Sequence, residues 1–304
     1  MIVHPSIDLS GIWQFYMGPA EEAVFSGETV RLPGAMDENR KGRDNSGNVT
    51  PRHLHRDFVY TGPAAYRREV AVPADWAGRP VILYLERTKK TRVWVDGRPA
   101  GPQCKSCTTP HRYDLTSLCR PGHTHTLTVE VDNSPAGMPH AMYSTLWEGE
   151  AWSHQLTEHG QTNWNGIVGE LKLESPPALS VSALRLRPDV EARAVRAELV
   201  LTRLNGEKEL RGEVVLRAES WNASRPAHKT ARQRAAFRFA PGENAAVLSL
   251  IHPMGEHPLL WDEFHPNLYR VTAEVCADGV LWDAAAEDFG MRAFTTGANQ
   301  GGRQ

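Results

Sequence analysis

The sequence predicts an all-β protein made of two successive β-sandwiches, and three observations carry that expectation. Apolar and polar residues alternate with period two in short runs rich in β-branched and aromatic residues, as in Val93-Trp94-Val95 and Tyr269-Arg270-Val271-Thr272-Ala273-Glu274-Val275. The 304 residues include 21 Pro and 25 Gly, which cut the chain into short elements with many turns. No repeated strand–helix–strand alternation is visible, so a parallel sheet with crossover helices is not expected.

In chain order, residues 12–16, 65–72, 80–86, 92–95, 125–131 and 168–173 read as strands. Asp96-Gly97 directly after Val95 is a tight-turn signal, because Gly tolerates positive φ. Pro73-Ala74-Asp75 and Arg120-Pro121-Gly122 mark further turns. Pro176-Pro177 removes two backbone donors in succession and resists both helix and central strand, which sets an expected domain boundary. Beyond it, residues 181–186, 196–204, 213–218, 235–239, 246–251, 268–275 and 280–287 read as seven more strands, the number of a small antiparallel sandwich. The expected organisation is therefore one domain over 1–177, a second over 178–294, and a Gly-rich polar tail over 295–304. Trp13 and Trp94 fall inside strands and Trp164 sits at a strand entry, so all three are expected in cores. Trp147 and Trp152 flank a long irregular segment and are expected at the surface.

Charge is nearly balanced, with 34 Lys+Arg against 36 Asp+Glu, so there is no basic surplus for nucleic acid. No apolar run approaches the roughly 20 residues that span a bilayer. Neither a nucleic-acid nor a membrane partner is expected. The N-terminus, Met1-Ile2-Val3-His4-Pro5, lacks the basic and apolar regions of a signal peptide, and location is left open. Cys104-x-x-Cys107 with Cys119 and His123 imitates zinc spacing, but free thiols explain the four cysteines without a site. Asp37-x-Asn39-x-Lys41-Gly42 imitates a calcium loop, yet Lys41 occupies a ligand position and Asn48 stands where a bidentate Glu belongs. No metal and no cofactor is expected.

Two polar loops carry the chemistry. Loop 152–165 presents Glu158, His159, Gln161 and Asn163 beside Trp152 and Trp164. Planar amides and carboxylates pair with neighbouring hydroxyls, and an aromatic face covers the apolar side of a sugar ring. Loop 37–45 ends on Asp44 and Asn45. The competing reading is that these side chains satisfy nearby backbone groups.

A series of short motifs then gives a resemblance. Ser10-Gly11-Ile12-Trp13, Leu32-Pro33-Gly34, Gly62-Pro63-Ala64-Ala65-Tyr66-Arg67-Arg68, Val93-Trp94-Val95-Asp96-Gly97, Tyr113-Asp114-Leu115-Thr116 and Val131-Asp132-Asn133 occur in that order. Gly166-Ile167, Leu260-Trp261, Pro266-Asn267-Leu268-Tyr269 and Phe289-Gly290-Met291-Arg292 follow. Together they resemble glycoside hydrolase family 2, the β-galactosidase and β-glucuronidase family. The resemblance implies a jelly-roll sugar-binding domain followed by an immunoglobulin-like sandwich, with a catalytic (β/α) barrel next in the family's order. Both catalytic carboxyls of that family lie in the barrel, and its acid/base glutamate follows an Asn; no Asn-Glu dipeptide occurs here. The implied protein is the non-catalytic N-terminal part of a retaining β-glycosidase, inactive by itself, with no catalytic residue of its own. Its implied partners are its own C-terminal barrel and a β-glycoside carbohydrate met through the full-length enzyme. By the same resemblance Asp44, Asn45, Glu158, His159, Gln161 and Asn163 are the substrate-binding candidates. Galactoside, glucuronide and mannoside enzymes share this scaffold, so the sugar is not specified. An independent carbohydrate-binding module and a structural or adhesion protein of two sandwiches are the alternatives, separable by titration with free glycan.

Overall fold

The computed structural model describes residues 4–47, 49, 54–106, 108–134, 162–204, 206–222 and 227–294. Glu158, His159, Gln161, Trp147, Trp152, Cys107 and the 295–304 tail lie outside the described residues. Among the described residues every strand pairs antiparallel, with one isolated parallel bridge between Leu260 and Met291, two short 3₁₀ turns, Ala20–Glu22 and Ala74–Trp76, and no α-helix. The chain divides into two compact units, Pro5–Ser175 and the chain from Pro176 onward, the latter also taking His4.

The first unit holds β1 (Ser6–Asp8), β2 (Gly11–Tyr16), β3 (Thr29–Leu32), β4 (Gly34–Ala35), β5 (Arg43–Asp44), β6 (Phe58–Val59) and β7 (Pro63–Ala71). These are followed by β8 (Ile82–Leu85), β9 (Lys90–Val95), β10 (Arg98–Pro99), β11 (His111–Asp114), β12 (Thr124–Asp132), β13 (Gly166–Ile167) and β14 (Leu171–Glu174). A six-stranded sheet runs β10-β9-β12-β7-β2-β3 and a four-stranded sheet runs β1-β14-β8-β11, while β4 pairs with β13 and β5 with β6. Period-two alternation sends Trp13, Phe15, Tyr66, Val93, Val95, Leu127 and Val129 of the larger sheet into one core with Leu83, Leu85, Leu171 and Leu173 of the smaller. Each such aliphatic side chain contributes about 1.5–3 kcal/mol when fully buried. The indole N–H of Trp13 stays satisfied in that core by donating to Leu9 O at 2.9 Å.

Three expectations are corrected. Trp94 is half-buried on the outer face of its sheet, because Val93 and Val95 on either side take the inward positions. Trp164 is also half-buried, with Lys89 Nζ 4.4 Å from its ring centroid. Residues 168–173 are not one strand: β13 pairs with β4 and β14 with β8. Between them Val168 N–H donates to Arg87 O and Gly169 N–H to Glu86 O, which draws the backbone out of line. A Cβ on Gly169 would lie 2.8 Å from Glu86 O, so a side chain there would push the two segments apart.

In the second unit all seven strands fall where alternation predicts them: β15 (Leu179–Asp189), β16 (Ala194–Arg203), β17 (Leu210–Ser220), β18 (Gln233–Phe239), β19 (Ala245–Pro253), β20 (Tyr269–Ala277) and β21 (Val280–Phe289). They form two sheets, β15-β16-β19 and β18-β17-β20-β21. Val195, Ala197, Leu199 and Leu201 of the first sheet share a core with Val214, Leu216, Phe237, Val271, Ala273 and Val275 of the second. The buried Asp283 of β21 accepts hydrogen bonds from His4 Nε2 at 2.8 Å, Val181 N–H at 2.8 Å and Ala284 N–H at 2.9 Å.

Candidate functional site

Three asparagines tie together irregular segments near the ends of β7 and β12. Asn133 is fully buried; its Oδ1 accepts from Gly62 N–H at 2.9 Å, and its Nδ2 donates to Tyr60 O at 2.8 Å and Asn163 O at 2.9 Å. Asn165 donates through Nδ2 to Gly62 O and Val131 O, both at 2.9 Å, and its Oδ1 accepts from the Tyr66 hydroxyl at 2.9 Å. Asn163 Nδ2 donates to Asn133 O at 3.0 Å. Tyr60, Gly62, Asn133 and Asn163 lie outside the strands, where no ladder pairs their backbone groups, and a carboxamide supplies both donor and acceptor. Asn163 is 7 % exposed, and its Oδ1 is buried with no hydrogen-bond partner among the described residues. A buried unpaired acceptor costs about 1–3 kcal/mol. It is therefore the group of this knot that calls for a donor from outside it.

Asp44 and Asn45 stand at the end of β5, where Arg43 pairs with Val59 and Asp44 with Phe58. Gly42 lets these strands close, since a Cβ there would lie 2.8 Å from Val59 O and its φ is +124°. Asp44 is exposed, and its Oδ1 accepts from Ser46 N–H at 2.9 Å and Ser46 Oγ at 2.7 Å. Those bonds, the backbone one first, hold its carboxyl below the usual carboxylate range. Asn45 N–H donates to Asp57 O at 2.7 Å and its Nδ2 to Arg56 O at 3.0 Å. Both predicted loops thus rest on one stretch of chain: Asn45 on Arg56 and Asp57, Asn163 on Tyr60 through Asn133. Arg56 and Tyr60 are four residues apart, at most about 13 Å of extended chain. Val59, Tyr60 and Thr61 also line a groove of about 460 Å³ with Met17, Gly42 and Arg43. Of the candidates, Glu158, His159 and Gln161 lie outside the described residues.

Other residues of this region were not singled out by sequence. Lys89 and Lys90 are each only 2 % exposed. Lys90 Nζ reaches Asp132 at 2.8 Å and Ser134 Oγ at 3.1 Å, and Lys89 lies against Trp164. A Lys-Lys pair reads as a solvated surface, so no signal pointed to them. Asn133 had one, the Val131-Asp132-Asn133 motif, but as a strand end rather than a knot.

The polar residues ahead of this loop have structural work. Glu38 Oε2 accepts from Ala35 N–H at 2.8 Å, and Asn39 exchanges hydrogen bonds with Arg31 N–H and Arg31 O at 2.7 and 3.0 Å. Among the described residues no group of three or more His, Cys, Asp or Glu side chains is arranged to hold a metal ion, and no helix is long and apolar enough to cross a membrane.

Residues 179–292 match the family Glycosyl hydrolases family 2. The fold resembles a putative β-galactosidase from Bacteroides fragilis, with TM-score 0.71 and 17 % identity, over 97 % of this chain and 42 % of that one. A glycosyl hydrolase family 2 member from Bacteroides cellulosilyticus matches with TM-score 0.64 and 18 % identity, over 94 % of this chain and 36 % of its own. The β-glucuronidase from Ruminococcus gnavus matches with TM-score 0.63 and 15 % identity, over 95 % of this chain and 44 % of its own. The chain spans less than half the length of each of these three. Its segment 179–292 matches that family and its fold is similar to part of each of these three enzymes.

Proposed function

We propose that this chain is the non-catalytic N-terminal part of a retaining β-glycosidase: a jelly-roll sugar-binding domain and an immunoglobulin-like sandwich, divided near residues 177 and 178. It supports a (β/α) barrel and lends that barrel's sugar pocket the loops bearing Asp44, Asn45, Glu158, His159, Gln161 and Asn163. The observation that carries this reading is the coverage: nearly all of this chain superposes on less than half of each family 2 enzyme described above. The buried Asn163 Oδ1 supports it, as an acceptor held in place at the end of the sandwich. Mobile polar groups would have to be ordered by a ligand; a fixed one is already ordered.

The test is kinetic, in the enzyme that joins this chain to a barrel. Asn45→Ala and Asn163→Ala should each lower kcat/KM for an aryl β-glycoside by about tenfold or more, a loss of about 1.4 kcal/mol of transition-state stabilisation. Circular dichroism should show the fold retained. Unchanged kcat/KM in both variants rejects the pocket role. The isolated chain should show no turnover of the same substrates. Hydrolysis that survives repurification and disappears on replacing one of its carboxylates rejects the non-catalytic reading.

A further inference from the structure

The outer face of the six-stranded sheet carries an arrangement of polar and aromatic groups separate from the loop residues above. Strand register fixes it. Trp94 of β9 lies opposite Thr128 of β12, Thr128 opposite Arg67 of β7, Arg67 opposite Gln14 of β2, and Gln14 opposite Thr29 of β3. Residues directly opposite in antiparallel strands project from the same face, so these five form one transverse row. From Trp94 to Gln14 the row crosses three strand spacings, about 14 Å. Gln14 and Thr29 are exposed, and Trp94, Thr128 and Arg67 are half-buried. Ile12, Gln14, Thr29, Arg67, Arg68, Glu69 and Thr126 line a groove of about 410 Å³ at the Arg67–Gln14–Thr29 end of this row.

The polar groups are already oriented. The Arg67 guanidinium lies 4.0 Å from the Phe25 ring centroid and donates from Nε to Gln14 Oε1 at 2.8 Å. That leaves the Arg67 Nη groups and Gln14 Nε2 to donate outward. Glu69 Oε1 accepts from Thr126 Oγ1 at 2.7 Å, leaving Oε2 to accept. A fixed donor set beside a fixed acceptor suits vicinal hydroxyls, and Trp94 at the end of the row offers a flat apolar face. Arg67 and Glu69 lie two residues apart on one face and offset one another, and Arg68, which also lines the groove, donates from Nη1 to Leu9 O and Ser10 O.

We propose that this face binds an extended β-linked oligosaccharide along the row Trp94–Thr128–Arg67–Gln14. The site holds a glycan chain rather than a reacting monosaccharide, and it does not depend on the loop residues.

The test uses the chain itself, titrated with hexasaccharides of β-linked glucose, mannose, xylose and galactose. At least one should bind with Kd of about 0.1–1 mM. In ¹⁵N-labelled protein, that ligand should shift the Trp94 indole N–H resonance. Gln14→Ala and Arg67→Ala should each weaken binding about tenfold with unchanged melting temperature, and Asn163→Ala should leave it unaltered. Gln14 is an exposed side chain, so its variant reports on binding even if Arg67→Ala perturbs the sheet. The proposal is overturned if none of the four sugars shifts Trp94 at about 10 mM, or if the Gln14 variant binds like the parent. It is also overturned if Asn163→Ala abolishes binding, which would assign the glycan to the loop end. Loss of the catalytic effect of Asn163 in the full enzyme, by contrast, would leave this site standing.

Discussion

Asn163 and Asn165 are two residues apart, yet the structure gives them different work. Asn165 uses both amide hydrogens and its oxygen: two donors on carbonyls and the oxygen on Tyr66. Truncating it strands two carbonyls and a phenol in a dry site, each costing about 1 kcal/mol or more. Asn165→Ala should therefore lower the stability of the first sandwich by about 3 kcal/mol, read from urea unfolding followed by Trp fluorescence, whereas Asn163→Ala, which strands one carbonyl but also removes the unpaired Oδ1, should cost less than about 1 kcal/mol. Equal losses would contradict the difference in bonding. His111 carries a pH-dependent term. It is fully buried, its Nδ1 accepts from Thr91 Oγ1 at 2.6 Å, and its Nε2–H donates to Ser106 O. Burial, opposed by the bond to the Ser106 carbonyl, pushes its pKa below the ordinary 6.5. The folded chain then binds fewer protons than the unfolded one below pH 6.5. This contribution is complete above pH 6.5 and is lost as pH falls through the lower folded value. Melting of the first sandwich should weaken from pH 7 to pH 5, and His111→Gln should flatten that slope. Cys119 tests burial chemically: desolvation pushes its thiol up to about 11, so native protein at pH 8 should leave Cys119 unalkylated by iodoacetamide.

At the scale of elements, the β9–β10 hairpin shows how a local signal becomes a fixed register. Asp96 and Gly97 both have positive φ, +50° and +77°, the conformation a two-residue turn of this hand requires. Asp96 then reaches across the sheet: His125 Nδ1 lies 2.6 Å from its Oδ2, and Thr126 N–H donates to its Oδ1 at 2.7 Å. The His125 hydrogen bond, with the Thr126 amide behind it, holds the Asp96 carboxyl below its usual range. Gly97→Ala meets no neighbouring atom within 4 Å, so its cost is backbone strain alone. It should destabilise by about 1 kcal/mol without changing the ligand behaviour of the chain, measured by chemical denaturation. The broken strand at residues 168–170 is the opposite case. Its apolar pattern is continuous, but the amides of Val168, Gly169 and Glu170 donate to Arg87 O, Glu86 O and Glu86 Oε2 and interrupt it.

At the scale of the molecule, a residue that precedes the first strand completes the core of the second unit. His4 and the amides of Val181 and Ala284 converge on Asp283. Burial by itself would raise that carboxyl; the His4 hydrogen bond and charge, with the two amides, outweigh it and hold the pKa below 3.8. The sign follows from linkage: a depressed acid stabilises fully above its unfolded value and loses that contribution as pH falls through the folded one. Acid unfolding of the second sandwich should therefore steepen below pH 3.8. Asp283→Asn should remove that step and cost about 2 kcal/mol at pH 7, the scale of hydrogen bonds to a charged acceptor. Identical acid titrations for parent and variant would remove Asp283 from this role.

What the sequence by itself determined is the class of fold and most of its elements, because period-two alternation and turn residues are local properties. All seven strands of the second sandwich and the Asp96-Gly97 turn were legible for that reason. The short strands β1, β3, β4, β5, β6, β10, β11 and β13 were not: two to four residues hold little or no period, and they become strands only where a partner arrives. The asparagine knot was legible as a polar loop and a strand-end motif, but not as a knot, since its bonds span sequence separations of 30 to 103 residues. Trp94 makes the same point. Its strand was evident, but which face met the core was decided by Val93 and Val95 packing against the opposite sheet. That choice turned a tryptophan expected in the core into part of a row on the sheet's outer face.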